Sequence, residues 1–237
     1  MHPEIHVDRA SGLAGRLVRL FEDEAERAQA RRGLFAVALP GGSVATIFFP
    51  ELARAQCDWS RTAFFWGDER AVPPEDPESN YALARTLWLE PAGVPSSNIH
   101  RMPADGPDAE KAAGSYEDLL TRTLGTPPQL DLALLGVGSD GHVCSLFPSH
   151  PLLRERQRLV APIADAPKPP RRRLTLTLPA LWEAAVVVVA ALGEAKAGVL
   201  REALEEPSCS LPVALVMRGA RCTVVLLDAA SARLLSR

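Results

Sequence analysis

The chain has 237 residues, of which 47% are hydrophobic and 23% are charged, and its formal net charge is −3. These values are typical of a globular protein and give no nucleic-acid-binding signature, which would be a basic surface. The longest apolar run, residues 184–192, is too short to cross a bilayer. We expect one domain over residues 1–237, because α/β folds often reach this size as one unit.

The four cysteines are widely spaced along the chain, at Cys57, Cys144, Cys209 and Cys222. This spacing predicts neither a structural zinc site nor a disulfide framework, and reduced thiols are typical of the cytoplasm. Residues 1–16 carry charges and lack an apolar core, so we expect no signal peptide. The sequence therefore predicts a cytoplasmic location.

Strand-like and helix-like segments alternate along the chain. Buried strands are predicted, in chain order, at residues 34–39, 62–66, 130–135, 158–163, 172–178, 184–191 and 222–227. Helices are predicted at residues 44–54, 79–89, 109–124 and 194–204. Apolar strands joined by helices indicate an α/β fold with a mainly parallel sheet and helices on both faces.

A glycine pair followed by a serine lies between the first predicted strand and the first predicted helix, at Gly41, Gly42 and Ser43. Backbone N–H groups at such a turn can approach an anion closely, and a helix N-terminus favours negative charge. The alternative is a tight turn in which Ser43 caps the helix. No Walker lysine follows the glycines, so a nucleotide P-loop is not predicted.

Three charged residues, Asp68, Glu69 and Arg70, follow the second predicted strand. One interpretation is a set of solvated loop charges, since burying unpaired charges at a strand end is costly. The other is a carboxylate that orients a sugar hydroxyl or a water, beside an arginine that binds phosphate.

The segment 136–142 reads Gly-Val-Gly-Ser-Asp-Gly-His and follows the predicted strand 130–135. In open α/β sheets, ligands bind at this carboxyl edge, and histidine can exchange a proton near neutral pH. Asp140 and Gly141 favour a positioned acid/base role for His142 over a structural role at a helix start. Cys144 could pair with His142 as a nucleophile, although we expect it to pack in the core. No GxSxG nucleophile elbow is present.

Residues 136–141 also match the GxGxxG pattern of dinucleotide-binding folds. That fingerprint requires a long helix directly after it and an acidic residue about 20 positions further on. Phe147 and Pro148 interrupt the stretch that would form the helix, which disfavours this alternative.

Basic residues cluster in two later segments. Arg171, Arg172 and Arg173 lie at the start of the predicted strand 172–178. They are either solvated there or face a ligand. The Pro- and Lys-rich loop before them leaves the same two possibilities for Lys168. Lys196 lies in the first turn of a predicted helix, where the helix dipole disfavours a cation unless it faces an anion.

Together these segments resemble the 6-phosphogluconolactonase family, which shares a superfamily with the glucosamine-6-phosphate deaminases. The resemblance is carried by the ordered stretches 40–43, 66–70, 79–81, 136–148, 173–177 and 193–197. It implies a Rossmann-like fold and hydrolysis of 6-phosphoglucono-1,5-lactone to 6-phosphogluconate in the pentose phosphate pathway. It also implies no organic cofactor and no required metal. The expected partner is a sugar-phosphate lactone, and neither nucleic acid nor a membrane is expected to bind. We expect the protein to be a monomer or a small homo-oligomer.

Carried over to this chain, the resemblance implies a role for each candidate residue. His142 would be the catalytic base, with Asp140 and Asp68 lining the site. Phosphate and sugar would be held by Gly41, Gly42, Ser43, Arg70, Arg173 and Lys196. Two departures stand out, since Val44 replaces a common threonine and Val143-Cys144 replace a common Thr-Ala pair.

A sugar-phosphate deaminase or isomerase of the same superfamily is the main alternative. Those relatives pair their histidine with a glutamate in a stretch resembling Phe-Asn-Glu-Pro, whereas residues 145–148 here read Ser-Leu-Phe-Pro. They also tend to carry tyrosine where this chain has Arg70. Both features favour the lactonase. A sugar-phosphate sensor without catalysis is the third possibility.

Overall fold

The computed structural model describes residues 3–236, so residues 1, 2 and 237 at the ends of the expected domain lie outside the described residues. Its strands are β1 (Glu4–Val7), β2 (Phe35–Leu39), β3 (Thr62–Trp66), β4 (Asp68–Arg70), β5 (Leu132–Gly136), β6 (Val160–Ile163), β7 (Arg173–Leu176), β8 (Val186–Ala191) and β9 (Thr223–Leu227). Its α-helices are α1 (Ala10–Arg32), α2 (Gly42–Leu52), α3 (Asn80–Ala84), α4 (Ala109–Leu124), α5 (Leu178–Trp182), α6 (Ala197–Glu205) and α7 (Pro212–Gly219).

Six strands form a parallel sheet in the order β1-β9-β8-β5-β2-β3. The inner strands β2, β5 and β8 are apolar throughout and almost entirely buried, as required when helices cover both faces of a sheet. The carboxyl ends of these strands lie at one edge, where Gly136 of β5 pairs with Ala190 of β8. The α/β class and the mainly parallel sheet are confirmed.

A second, antiparallel sheet of three strands, in the order β4-β7-β6, corrects one expectation. The predicted strands 158–163 and 172–178 form part of this small sheet and do not join the parallel one. Its position follows from Gly67, whose N–H bonds to the Leu39 carbonyl while its own carbonyl accepts from the N–H of Leu176. The chain therefore passes directly from β3 into β4, which brings Asp68 and Arg70 beside β7.

Several elements lie outside the predicted segments or differ from their predicted bounds. β1, α1, α5 and α7 are not among the predicted elements. α1 buries a stripe at helical spacing that includes Leu13, Leu17 and Phe21. The predicted helix 79–89 consists of α3 followed by a π-helical turn over Arg85–Leu89.

An aromatic cluster fills the core on the β3 side of the sheet. The Trp88 ring lies 5.3 Å from the rings of both Phe21 and Phe64, and 5.2 Å from that of Phe49. Edge-to-face contacts of this kind add stability beyond the burial of apolar area. Among residues 3–236, no helix combines the length and the apolar character needed to cross a bilayer.

Candidate active site

A cleft of about 200 Å³ opens at the carboxyl edge of the parallel sheet, over the ends of β2, β5 and β8. Eight of the nine predicted site residues line it: Gly41, Gly42, Ser43, Asp68, Arg70, His142, Arg173 and Lys196. The ninth, Asp140, lies behind His142 and contacts its ring. Three polar residues that were not assigned to the site from sequence also line the cleft: Asn80, Ser139 and Lys168.

The turn between β2 and α2 presents a helix N-terminus to the cleft. Gly41 is the N-cap residue and Gly42 has a φ of +64°, a conformation that favours glycine. The alternative in which Ser43 caps the helix is wrong, because α2 begins at Gly42, two residues before its predicted start, and Ser43 lies in its first turn. Val44 is buried and packs against Gly136, so its side chain contributes packing. The first N–H groups of α2 lack acceptors within the helix and lie in the cleft wall.

Asp68 is the centre of a buried polar network rather than a solvated loop charge. Only 6% of the residue is exposed. Its Oδ2 atom accepts a hydrogen bond of 2.6 Å from the Ser145 hydroxyl and lies 3.9 Å from Nη1 of Arg173. The Asn80 amide donates to the Asp68 carbonyl at 2.8 Å and to Oδ1 at 3.3 Å. Asp68 is therefore held in one position at the cleft wall.

Glu69 points away from the cleft and holds α3 in place. Its carboxylate accepts hydrogen bonds from the Ser79 hydroxyl and from the backbone N–H groups of Arg70, Asn80 and Tyr81. Burial raises the pKa of Glu69 even though these hydrogen bonds oppose the shift. The residue thus caps α3 and positions Asn80 against Asp68.

The two arginines of the small sheet differ in their contacts. Arg173 is buried, and burial lowers its pKa although the charge of Asp68 opposes that shift. Its Nε and Nη2 atoms each donate at 2.9 Å, to the carbonyls of Pro170 and Lys168 respectively. Arg70 donates from Nη1 to the Glu78 carbonyl at 2.6 Å and is more exposed. An arginine guanidinium stays protonated in proteins, so both add positive charge to the cleft.

His142 and Asp140 form a hydrogen-bonded pair in a tight loop after β5. Nδ1 of His142 lies 2.5 Å from Oδ1 of Asp140. The loop is closed by the N–H of Gly138, which donates to the His142 carbonyl at 2.8 Å, and a Cβ on Gly138 would lie 2.0 Å from Nδ1. The Phe147 ring packs against the imidazole at 4.9 Å. The glycine, the acid and the aromatic ring together fix the orientation of the imidazole.

The electrostatics of this pair favour an ionised Asp140. Partial burial opposes ionisation, but the attraction of His142 and the hydrogen bonds from His142 outweigh it and lower the pKa of Asp140. An ionised carboxylate accepts the proton on Nδ1, which leaves the lone pair of the imidazole on Nε2. Because His142 lines the cleft, this arrangement is suited to removing a proton from a molecule bound there.

The structure disfavours three alternatives for this segment: a dinucleotide site, a helix that starts at His142, and a Cys144 nucleophile. No helix follows residues 136–142 directly, since the next helical turn is a 3-10 turn over Pro151–Arg154. The GxGxxG match therefore lacks the helix that a dinucleotide site needs, and His142 does not start a helix. Burial, together with the charge of Asp68, raises the pKa of the Cys144 thiol well above its ordinary value. A protonated thiol is a poor nucleophile.

Lys196 enters the cleft from the 3-10 turn Glu194–Lys196, directly before α6. Burial and then the nearby charge of Lys168 lower the pKa of Lys196, against the attraction of Asp140. The turn is held by Asp228, whose carboxylate accepts from the N–H of Gly193. Within residues 3–236, no three or more His, Cys, Asp or Glu side chains cluster in a way that could hold a metal ion.

Most of this chain matches a known family of sugar-phosphate enzymes. Residues 8–225 match the family model described as glucosamine-6-phosphate isomerases/6-phosphogluconolactonase. The chain belongs to this family.

Several similar proteins are named 6-phosphogluconolactonase. The chain is 43% identical over 215 residues to a rat protein named 6-phosphogluconolactonase, covering 88% of this chain and 83% of the rat protein. It is 39% identical over 249 aligned positions to the 6-phosphogluconolactonase of Streptomyces coelicolor, covering 98% of this chain and 94% of that protein. Among solved structures, the 6-phosphogluconolactonase of Thermotoga maritima superposes with a TM-score of 0.83 at 30% identity, covering 96% of this chain and 99% of that chain. That of Trypanosoma brucei superposes with a TM-score of 0.86 at 27% identity, covering 99% of each chain.

Proposed function

We propose that this protein hydrolyses 6-phospho-D-glucono-1,5-lactone to 6-phospho-D-gluconate, a step of the pentose phosphate pathway. The names of its relatives support this assignment. The observation that carries it is the placement of His142, held by Asp140, in the same cleft as an uncapped helix N-terminus and several cations. A proton acceptor and an anion-binding wall are the two features that hydrolysis of a phosphorylated lactone needs.

The charge balance of the cleft supports a dianionic ligand. Asp68 lies beside Arg173, and Asp140 pairs with His142. The other three cations of the cleft have no carboxylate partner among residues 3–236; they are Arg70, Lys168 and Lys196. Clustered cations that lack carboxylate partners favour a phosphate, which charge-assisted hydrogen bonds hold strongly.

In the proposed reaction, Nε2 of His142 takes a proton from a water molecule as the water oxygen attacks the lactone carbonyl carbon. The bond between that carbon and the ring oxygen then breaks, and the imidazolium returns its proton to the departing ring oxygen. The products are a carboxylic acid, which ionises, and the free C5 hydroxyl. General base catalysis of this kind contributes roughly 10²–10⁴-fold to the rate.

Direct attack by water is favoured because the two nucleophilic side chains that follow His142 most closely, Cys144 and Ser145, are unsuited to covalent catalysis. The Cys144 thiol has a raised pKa, and the Ser145 hydroxyl is buried and donates its hydrogen bond to Asp68. A lactone is already a reactive acyl compound, so water activated by His142 is sufficient. Binding energy from the phosphate would fix the orientation of the distant carbonyl carbon.

The deaminase alternative requires a further carboxylate beside the histidine. The only acidic side chain among the cleft-lining residues of the described chain is Asp68, which is committed to Ser145 and Asn80. The side chains of Leu146 and Phe147 are buried where the deaminases carry their acid. These contacts favour the lactonase.

The experiment that tests the proposed function is an assay with the lactone made in situ by enzymatic oxidation of glucose 6-phosphate. Acid release above the spontaneous rate is the expected result, with no ammonia released from glucosamine 6-phosphate. Ammonia release without lactone hydrolysis would identify a deaminase. Binding of 6-phosphogluconate with no turnover of either compound would identify a sensor.

A further inference from the structure

A basic strap, residues 164–172, crosses one side of the cleft between β6 and β7. All three of its cations are exposed, but Lys168 lines the cleft, whereas Arg171 and Arg172 lie outside it. The Lys168 ammonium makes no hydrogen bond or ion pair with any residue between 3 and 236, although its backbone carbonyl is bonded. Of the three neighbouring cations of the strap, Lys168 is therefore the one that lies at the site.

The strap is held by the buried guanidinium of Arg173. Nε donates to the Pro170 carbonyl and Nη2 donates to the Lys168 carbonyl, both at 2.9 Å. The third nitrogen, Nη1, lies 3.4 Å from the Ser145 hydroxyl and 3.9 Å from Asp68. With all three nitrogens turned toward protein groups, Arg173 joins the strap to the Asp68 network.

The apolar side of the strap is also anchored. Ala166 is completely buried against Phe147 and Ile163, and its N–H bonds to the Arg171 carbonyl at 3.1 Å. Phe147 lies under the Arg173 guanidinium at 5.7 Å and against the His142 ring. The strap is thus packed on the same side chain that supports the imidazole, so its position is defined relative to the catalytic pair.

We propose that Lys168 is a ligand of the substrate phosphate, and that Arg173 is the positioning residue that holds Lys168 in the cleft. This inference rests on the proposed function for the identity of the anion. Lys168 and Lys196 repel one another in the free protein, since part of the lowered pKa of Lys196 comes from Lys168. A phosphate dianion bound between them would relieve that repulsion, which makes binding to the pair favourable.

The test compares Lys168→Ala with the matched control Arg171→Ala, which removes the same charge from an exposed position of the same strap. Lactone kinetics and the affinity for 6-phosphogluconate, with gluconate as the ligand that lacks phosphate, are measured for both. Loss of one charge-assisted contact is expected to raise KM and the Kd of 6-phosphogluconate about 10- to 100-fold in K168A. The KM and Kd of R171A should stay within about threefold of the wild-type values. K168R should retain most of the wild-type affinity for 6-phosphogluconate.

The positioning role is tested by a double-mutant cycle. Arg173→Gln is expected to weaken 6-phosphogluconate binding in the wild-type background and to have little further effect in K168A. Additive effects would show that Arg173 does not act through Lys168. If R173Q does not fold, Arg173→Lys supplies the same cycle, since lysine cannot reach both strap carbonyls.

Three outcomes would overturn the inference about Lys168. They are an unchanged Kd in K168A, equal effects of K168A and R171A, or a loss confined to kcat. Failure of the proposed function is distinguishable, because wild-type protein would then not hydrolyse the lactone. In that case the Kd of inorganic phosphate for wild type, K168A and R171A still tests whether Lys168 binds this anion.

Discussion

Nδ1 of His142 lies 2.5 Å from Oδ1 of Asp140 on the cleft wall, and a second pair of the same residue types lies outside the cleft. In that second pair, Nε2 of His150 is 3.2 Å from Oδ1 of Asp165, and the carboxylate is largely exposed. The two pairs bond through different ring nitrogens, and Nδ1 of His150 accepts a hydrogen bond from the N–H of Leu152. Only the first lies beside the cations and the helix N-terminus that could hold a substrate, so position distinguishes the catalytic pair.

Replacing Asp140 by Asn should lower kcat about 10- to 100-fold with little change in KM. The amide neither carries the charge that stabilises the imidazolium nor accepts the Nδ1 proton as strongly, and hydrogen bonds to charged groups contribute about 1.5–3 kcal/mol. Steady-state lactone kinetics measure the effect. Asp165→Asn is the matched control and should leave kcat unchanged. Equal kcat values for D140N and wild type would exclude the orienting role of Asp140.

Gly42→Ala should lower stability and raise KM, whereas Gly33→Ala should lower stability alone. Both glycines have positive φ, +64° and +77°, and an added Cβ at either position meets no atom within 4 Å. The cost in each case is therefore backbone strain, about 1–2 kcal/mol. Gly33 caps α1 far from the cleft lining, while Gly42 begins α2 at the proposed phosphate site. Urea unfolding and lactone KM separate the two effects, and a KM that rises equally in both variants would contradict this assignment.

The affinity for 6-phosphogluconate should fall at alkaline pH, beginning below pH 10.5, the ordinary pKa of lysine. Burial and the charge of Lys168 lower the pKa of Lys196, so its ammonium is lost earlier than that of an exposed lysine while the phosphate remains a dianion. Titration calorimetry across pH 7 to about 10 measures this loss.

Two variants identify the titrating group in that experiment. Lys196→Arg keeps its charge throughout this range, so the affinity of K196R should decline less with pH than that of wild type. Lys168→Ala removes one cause of the shift and should move the decline of affinity to higher pH. The same decline in K196R as in wild type would show that another group titrates.

Ser145→Ala should lower the free energy of unfolding by about 1–3 kcal/mol, the cost of removing one hydrogen bond to a buried carboxylate. Its hydroxyl supplies the 2.6 Å hydrogen bond to the buried Asp68 carboxylate. Ser97→Ala is the control, because the Ser97 hydroxyl bonds only to Asn98 at an exposed site. Urea unfolding of both variants measures the difference, and equal stabilities would mean that the Asp68 network does not depend on Ser145.

The sequence predicts those parts of the site that follow from strand order. Strands β2, β5 and β8 are continuous apolar runs, so the end of each can be located and the residues after it assigned to one edge. Gly41 and His142 were both placed in this way, and both line the cleft. The residues alone left Arg173 and Lys196 open between a solvated and a ligand-facing position, and the family resemblance implied their role; both line the cleft.

Other features depend on contacts that no local pattern reveals. The burial of Asp68 and Glu69 follows from the bend at Gly67 and the antiparallel pairing with β7, whereas three adjacent charges resemble a solvated loop. The choice of Lys168 over Arg171 depends on which strap carbonyls Arg173 binds. Asn80 lies within the stretch 79–81 that supported the resemblance, so that motif was the available signal for it.

The measurement that tests the central claim most directly is the kcat of His142→Ala with the lactone, together with its affinity for 6-phosphogluconate. Removal of the proposed general base is expected to lower kcat by roughly 10²–10⁴-fold, while the Kd of 6-phosphogluconate stays near that of wild type. A kcat within about threefold of wild type, in a folded variant that still binds 6-phosphogluconate, would contradict the assignment of His142 as the base.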